Sequence, residues 1–584
     1  MAVEKDWVEK ECQSILDGRA SRGDDAQLER FFDLAWRYRM AEYPEWATDL
    51  NFSGYNHRWR DYSPEAYDRR KRIAGLFQDL LEELDRSNLT AENQLNYDLF
   101  LRDLNEEIEG YRFKQECLQI TQISGIHQDM AQTIEKMPVE NVAQCQDVIA
   151  RLKGVPEVVY DVIGLLKEGL ETGATPPKIT LRDVPAQIEN QIVEDASAAP
   201  MLKVLLELPN SIPVNEQEQV RQQAYSAYRQ EVVPAFKKLL DFVVSEYLPG
   251  CRESVSMSEL PDGQAWYAYV VGKYTTTDLT PQQIQEIGLA EVKRIRGEMD
   301  RIIERLDFEG SFEDFCTFLR TDSQFFYTDP EDLLTGYRDI CKRVDPELIR
   351  MFGHLPRLPY GVVRIPEYME KSQTTAYYMP GSLSAARPGW YYANTYDLAS
   401  RPKWEMEALT LHEAVPGHHF QIAISQELEG LPEFRKHDWI TAYGEGWALY
   451  AESLGDEMGF YKDPYSKFGQ LTYEMWRAIR LVVDPGIHAL GWSRQQAIDY
   501  FKANSCKAEH DITVEVDRYI VWPGQAVAYK IGELKIKELR ALAEAELGSA
   551  FDIRAFHDEL LAHGGLPLDI LEGRTKDWIA AQKN

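Results

Sequence analysis

The stretch LTLHEAVPGHHFQ, residues 409–421, places three imidazoles and a carboxylate within eight positions: His412, Glu413, His418 and His419. A histidine–glutamate pair on a helix is how many zinc-peptidase motifs begin, with a second histidine four residues after the first and the glutamate as base. Here Pro416 stands where that second histidine belongs. On a straight helix His412 and His418 are separated by about 9 Å of rise and about 120° of rotation, and His412 and His419 by about 10.5 Å. Zinc–nitrogen bonds of about 2.1 Å bridge neither gap. A regular helix through these residues therefore makes no two-histidine site.

Pro416 and Gly417 offer a way out. Proline lacks an N–H and clashes with the carbonyl four residues back, and glycine permits backbone angles closed to other residues. The pair predicts a bulge that loops two residues outward and brings His418 to the usual position of the second ligand. His419 stays open as an alternative ligand or as a group facing substrate. A proline–glycine pair also simply ends helices, so this stretch alone does not decide.

The segment TAYGEGWALYAESLGDEM, residues 441–458, reads as an amphipathic helix carrying Glu445, 27 residues after His418. That is the interval at which glutamate-type zinc peptidases supply a third ligand. Two histidines, one carboxylate and an open fourth position suit a catalytic zinc. Glu452, two turns further on, is a weaker candidate. Glu413 is then the general base. In WPGQAVAYKIG, residues 522–532, Tyr529 is a candidate donor to a developing oxyanion, with Gln525 as a supporting residue. ARPGWYYANT, residues 386–395, reads as a strand lining substrate, with Arg387, Tyr391 and Asn394 available. Arg480, Asp484 and His488 recur at intervals of four, one helical face. They are expected either to support the zinc ligands, with Arg480 or His488 reaching substrate, or to form an ordinary intrahelical ladder.

The elements that must position these groups are mostly helices. Residues 64–345 repeat apolar residues at three and four, as in AYDRRKRIAGLFQDLLEELDR. Between 358 and 398 the texture turns to β-branched and aromatic residues with Pro and Gly, which predicts short strands just ahead of the His412 helix. Helical texture then returns to the end. The expected organisation is a helical first part, residues 1–350, forming one wall of a cleft, and a zinc-binding part, residues 351–584. The net charge of −32 argues against a nucleic-acid partner. Seven dispersed cysteines without a CxxC pair predict reduced thiols. The lack of an 18-residue apolar run, or of a signal-type start in MAVEKDWVEKECQS, predicts a cytoplasmic protein with no membrane partner. Oligomeric state is not legible.

Taken together, HEAVPGHHFQ, YGEGWALYAE, RLVVDPGIHALGW, RYIVWPGQAVAYKIGELK and SLSAARPGWYYANT resemble the bacterial family known only as domain of unknown function 885. The resemblance spans most of the chain. That family is similar to helical zinc peptidases of the thimet oligopeptidase and angiotensin-converting-enzyme type, whose HExGH motif sets the second ligand after a glycine. Dipeptidyl peptidase III, with a one-residue insertion, is a parallel for the longer spacing here. The resemblance implies a mainly α, zincin-like fold with a small sheet beside the active-site helix and a deep cleft. It implies His412, His418 and Glu445 as zinc ligands, Glu413 as base and Tyr529 as oxyanion donor. The sequence departs at Asp484-Pro485-Gly486, where the pattern expects a threonine before the glycine. The expected activity is hydrolysis of short peptides. The alternatives are a zinc amidase acting on a non-peptide or modified dipeptide substrate, and a non-catalytic metal-binding protein.

Overall fold

In the computed structural model, which describes residues 7–370, 374–383 and 386–583, helices begin where the sequence offers capping oxygens. Ser63, Thr90 and Asn141 accept from the backbone N–H three residues on and start helices Pro64–Glu83, Ala91–Gly110 and Val142–Thr172. Gly173, at φ 77°, ends the last of these in the left-handed conformation that glycine adopts at least cost. Val148, Val155, Val162 and Leu166 fall on one face of that helix and are fully buried. These helices belong to a first unit, Met1–Gly263 with Pro432–Phe434. Within it Phe434 packs its ring 5.0 Å from Phe32 and 4.9 Å from Phe100.

The second unit comprises Gln264–Leu431 and Arg435–Asn584. The division expected near residue 350 therefore falls at 263/264, and helices Pro281–Arg305, Phe312–Thr321 and Pro330–Met351 go with the metal-site residues. The reason is tertiary. Gly288 lets Pro281–Arg305 press against Pro464–His488 so closely that a Cβ there would lie 2.6 Å from the Leu481 Cβ. Helical texture is the same on both sides of such a boundary and does not reveal it.

The strands expected between 358 and 398 form one small sheet: β1 Tyr360–Arg364, β2 Ala376–Met379 and β3 Gly389–Ala393. The order is β1-β3-β2, with β3 parallel to β1 and antiparallel to β2, pairing Tyr391 with Val362 on one side and Tyr378 on the other. Alternation along β3 buries Gly389, Tyr391 and Ala393 and leaves Trp390 and Tyr392 half-buried. β2 packs against helix Met406–Glu413. The protein is thus mainly helical with a small sheet beside the HE helix. No described helix is long and apolar enough to cross a membrane.

One expectation is corrected outright. Cys316, on helix Phe312–Thr321, and Cys506 are joined as a disulfide with Cα atoms 4.9 Å apart across 190 residues of sequence. Linear dispersion says nothing about which cysteines the fold brings together. The remaining cysteines, Cys12, Cys117, Cys145, Cys251 and Cys341, are free and buried.

Candidate metal centre

Helix Met406–Glu413 ends at the glutamate, and a second helix, His418–Glu427, starts after four intervening residues. The predicted bulge is therefore a complete break. Ala414 still donates to the Thr410 carbonyl, and Pro416, in a cis peptide with Val415, has no N–H to carry the ladder on. Gly417 folds back so tightly that a Cβ there would lie 1.9 Å from the His412 carbonyl oxygen. Only glycine fits such an approach. The Trp447 indole N–H donates to the Pro416 carbonyl at 2.8 Å and ties the turn to the next helix.

The break turns two imidazoles that a straight helix would separate onto one point. The rings of His412 and His418 stand 4.7 Å apart at 83°. Glu445 comes from helix Thr441–Leu454, and its Oε2 lies 3.6 Å from Nε2 of His412 and 3.5 Å from Nε2 of His418. The three ligand atoms fall within 4.8 Å of one another, the one such group of three among the described residues. Donors about 2.1 Å from a common tetrahedral centre stand roughly 3.4 Å apart, so the spacing fits a single small cation.

The glycines on each side of Glu445 explain how its helix gets so close. Gly444 sits under the Trp439 ring, which a Cβ would meet at 2.4 Å. Gly446 meets the backbone of Gly532 on helix Ala528–Leu547, where a Cβ would come within 2.6 Å. The two helices run in the same sense, since Arg540 further along reaches Tyr450 and Glu457. Trp439 also lies 5.8 Å from the His418 ring and is 43% exposed, so it reaches solvent beside the His412–His418–Glu445 group.

Behind the donors stands Glu452, fully buried, whose Oε1 accepts from Nδ1 of His412 at 2.8 Å. That bond leaves Nε2 to face the cluster, the arrangement by which a carboxylate orients a metal-binding histidine. Arg477 lies 3.7 Å from the same carboxylate oxygen, and the Tyr461 hydroxyl holds the Glu452 backbone carbonyl at 2.8 Å. Burial by itself would depress His412, but Glu445 and Glu452 outweigh it and push it up to about 9. Burial likewise opposes ionisation of Glu445, yet His418 and His412 hold it well below the ordinary carboxylate range. Without a cation the cluster therefore keeps a proton among its donors, and a metal must displace it.

Glu413 directly follows His412, is 9% exposed, and among the described residues has no hydrogen-bond or ion-pair partner. Tyr391 of β3 lies within its field and is fully buried. His419 parts from its neighbour. It is buried against the sheet, bonded through Nδ1 to the Tyr378 hydroxyl at 2.9 Å, and burial drives its pKa down to about 4. Consecutive helix positions diverge by about 100°, so His418 joins the donors and His419 does not.

The other expected residues lie elsewhere. Asn394 is spent on the carbonyls of Glu370 and Thr374, and Arg387 is exposed, its backbone bridged to Ser382. Arg480, Asp484 and His488 share a face of Pro464–His488 and turn to different neighbours instead of forming an intrahelical ladder. Arg480 donates to the Tyr519 hydroxyl and pairs with Glu515. Asp484 accepts from the Tyr267 hydroxyl and the Gly524 N–H, and His488 binds the Tyr519 carbonyl. Gln525 accepts from Arg518 and lies 3.4 Å from the Tyr529 hydroxyl. The supporting role expected of Asp484 falls instead to Glu452, with Arg477 beside it, while Gln525 does stand against Tyr529. Glu452 was legible as the acid two turns beyond Glu445; Arg477 had no sequence signal.

Comparison with known proteins follows the same lines. The sequence signature of the family described as "Bacterial protein of unknown function (DUF885)" matches residues 44–574. The fold matches a "putative lipoprotein" from Colwellia psychrerythraea at 26% identity and a TM-score of 0.89, covering 96% of this chain and 99% of that one. It also matches a "putative lipoprotein of unknown function" from Shewanella oneidensis at 17% identity and a TM-score of 0.74, covering 94% and 99%. No curated protein matches the sequence.

Proposed function

Because the chain belongs to the DUF885 family, whose description assigns no reaction, the chemistry rests on its side chains, and we propose a zinc-dependent hydrolase of short peptides with a zincin-like active site. The observation that carries this reading is the convergence of His412, His418 and Glu445 within 4.8 Å, with an unpaired carboxylate, Glu413, next in sequence to a donor. Histidine, histidine and glutamate hold a catalytic zinc and leave one position open. A bound zinc supplies an acidified water and a polarised carbonyl.

The protein's own groups do the rest. Glu413, with no partner to satisfy it, takes a proton from the attacking water and returns it to the leaving nitrogen. Tyr529 is the donor to the developing oxyanion. It stands in the first turn of helix Ala528–Leu547, one turn before the Gly532 contact with the Glu445 helix, and its hydroxyl proton is not committed to any described acceptor. His488 is not available for that task, being fully buried with Nε2 on the Tyr519 carbonyl. Glu452 keeps the His412 ring in the tautomer that presents Nε2.

The test is Glu413→Gln. The variant is expected to bind one equivalent of zinc by elemental analysis and to lose roughly 100- to 10,000-fold in kcat on a library of short peptides. Undiminished turnover would remove Glu413 from the mechanism, and a wild-type protein that takes up no zinc would overturn the reading altogether.

A further inference from the structure

One buried cationic cluster has no part in holding the metal. Arg480 is 4% exposed. Its Nε donates to the Tyr519 hydroxyl at 3.0 Å and its Nη2 lies 3.3 Å from Oε2 of Glu515, while Nη1 is buried without an acceptor. Arg518 turns its Nη1 to the same Glu515 oxygen at 3.2 Å and its Nη2 to Gln525 at 2.6 Å. Two guanidinium groups thus share a single carboxylate. Asp484, four residues on from Arg480 along the same helix, is committed to the Tyr267 hydroxyl and the Gly524 N–H.

A buried guanidinium with an unanswered N–H is costly unless something else binds there, and a planar fork is matched to a carboxylate. The walls of the cluster are aromatic: the Arg480 guanidinium lies 4.5 Å from the Tyr529 ring and 5.1 Å from Trp476. Both rings are half-buried and so border solvent. Arg477, one turn earlier, lies 5.4 Å from the same Trp476 ring and reaches Glu452, the residue that orients His412. Through Arg477, Glu452 and His412 the helix that carries Arg480 is thus connected to the metal donors.

We propose that Arg480 and Arg518, floored by Tyr529 and Trp476, bind a carboxylate at one end of the substrate, so that the enzyme acts on short chains ending in a free acid. This rests on the hydrolase reading above and narrows it. Glu515 holds the two arginines in place, and the incoming carboxylate answers Nη1 of Arg480 and the surplus positive charge.

The experiment measures binding, so it does not depend on turnover. Zinc-loaded Glu413→Gln protein is titrated calorimetrically with N-acetyl-alanyl-alanine and with its C-terminal amide. The acid is expected to bind about 10- to 100-fold more tightly, and adding Arg480→Gln is expected to bring the two within about twofold. Arg518→Gln serves as the second variant should the first not fold. Equal affinities, no measurable binding of the acid, or an acid preference that survives both substitutions overturns the proposal; the last result would put the carboxylate on the metal. Wild-type protein that cleaves acid and amide alike sinks the carboxylate site and leaves the hydrolase standing. Acid-selective binding without any cleavage does the reverse.

Discussion

The His412–His418–Glu445 group and the Arg480–His488 face are both polar constellations built on buried helices, and their geometry runs opposite to their sequence spacing. His412 and His418 are badly spaced for a shared helical face, yet their rings stand 4.7 Å apart. Arg480, Asp484 and His488 are ideally spaced, yet each turns to a different neighbour: Tyr519 and Glu515, Tyr267 and Gly524, and the Tyr519 carbonyl. Shared helical phase guarantees a common direction, not a common partner. Within the first group the donors face one another and leave Glu413 unpaired; within the second, Asp484 and His488 are each answered by a packed neighbour, and only Nη1 of Arg480 is not.

Removing members of each group should break that contrast in order of size. His418→Ala or Glu445→Gln is expected to abolish stoichiometric zinc by elemental analysis, whereas His419→Ala keeps it, because His419 faces Tyr378. Zinc retained without His418 would mean that another donor completes the set. Glu452→Gln should weaken zinc affinity by about 10- to 100-fold, as loss of an orienting carboxylate does. The matching change in the other group, His488→Gln, should leave zinc affinity unchanged and lower stability by about 1–3 kcal/mol in urea denaturation, the cost of disturbing a buried hydrogen bond. Equal losses of zinc affinity in the two variants would erase the distinction between the groups.

Asp484 sharpens the comparison through pH. Burial pushes its pKa up to about 7. A raised carboxyl pKa means that the folded state holds a proton the unfolded chain has already released. Its contribution is present in full below the unfolded pKa near 4 and is lost as pH rises through about 7, at up to roughly 1.4 kcal/mol per pH unit. Asp484→Asn should flatten that part of the stability profile between pH 4 and 7. An unchanged slope would show that Asp484 ionises in the folded protein at its ordinary pKa.

Much of the site was readable before any fold was known. His412, Glu413 and Glu445 are identified by residue type and interval, and the Pro416–Gly417 step announces that the helix cannot run straight. The strands at 360–393 follow from β-branched and aromatic alternation. Less visible were the residues whose importance is purely spatial. Arg477 matters because its side chain meets Glu452, Gly532 because the helix bearing Glu445 crosses there, and Cys316 because it meets Cys506. None of these carries a local pattern.

What the sequence determined by itself was the inventory of chemistry and its punctuation. Imidazole, carboxylate, proline and glycine have intrinsic properties that act over one or two turns, so their consequences can be derived from order alone. What only the tertiary structure decided was direction: which of two adjacent histidines faces the donors, which acid stands behind His412, and where one unit ends. Those outcomes depend on contacts between segments far apart in the chain, such as Gly446 against Gly532 and Gly288 against Leu481, where backbone approach sets the geometry and linear spacing carries no record of it.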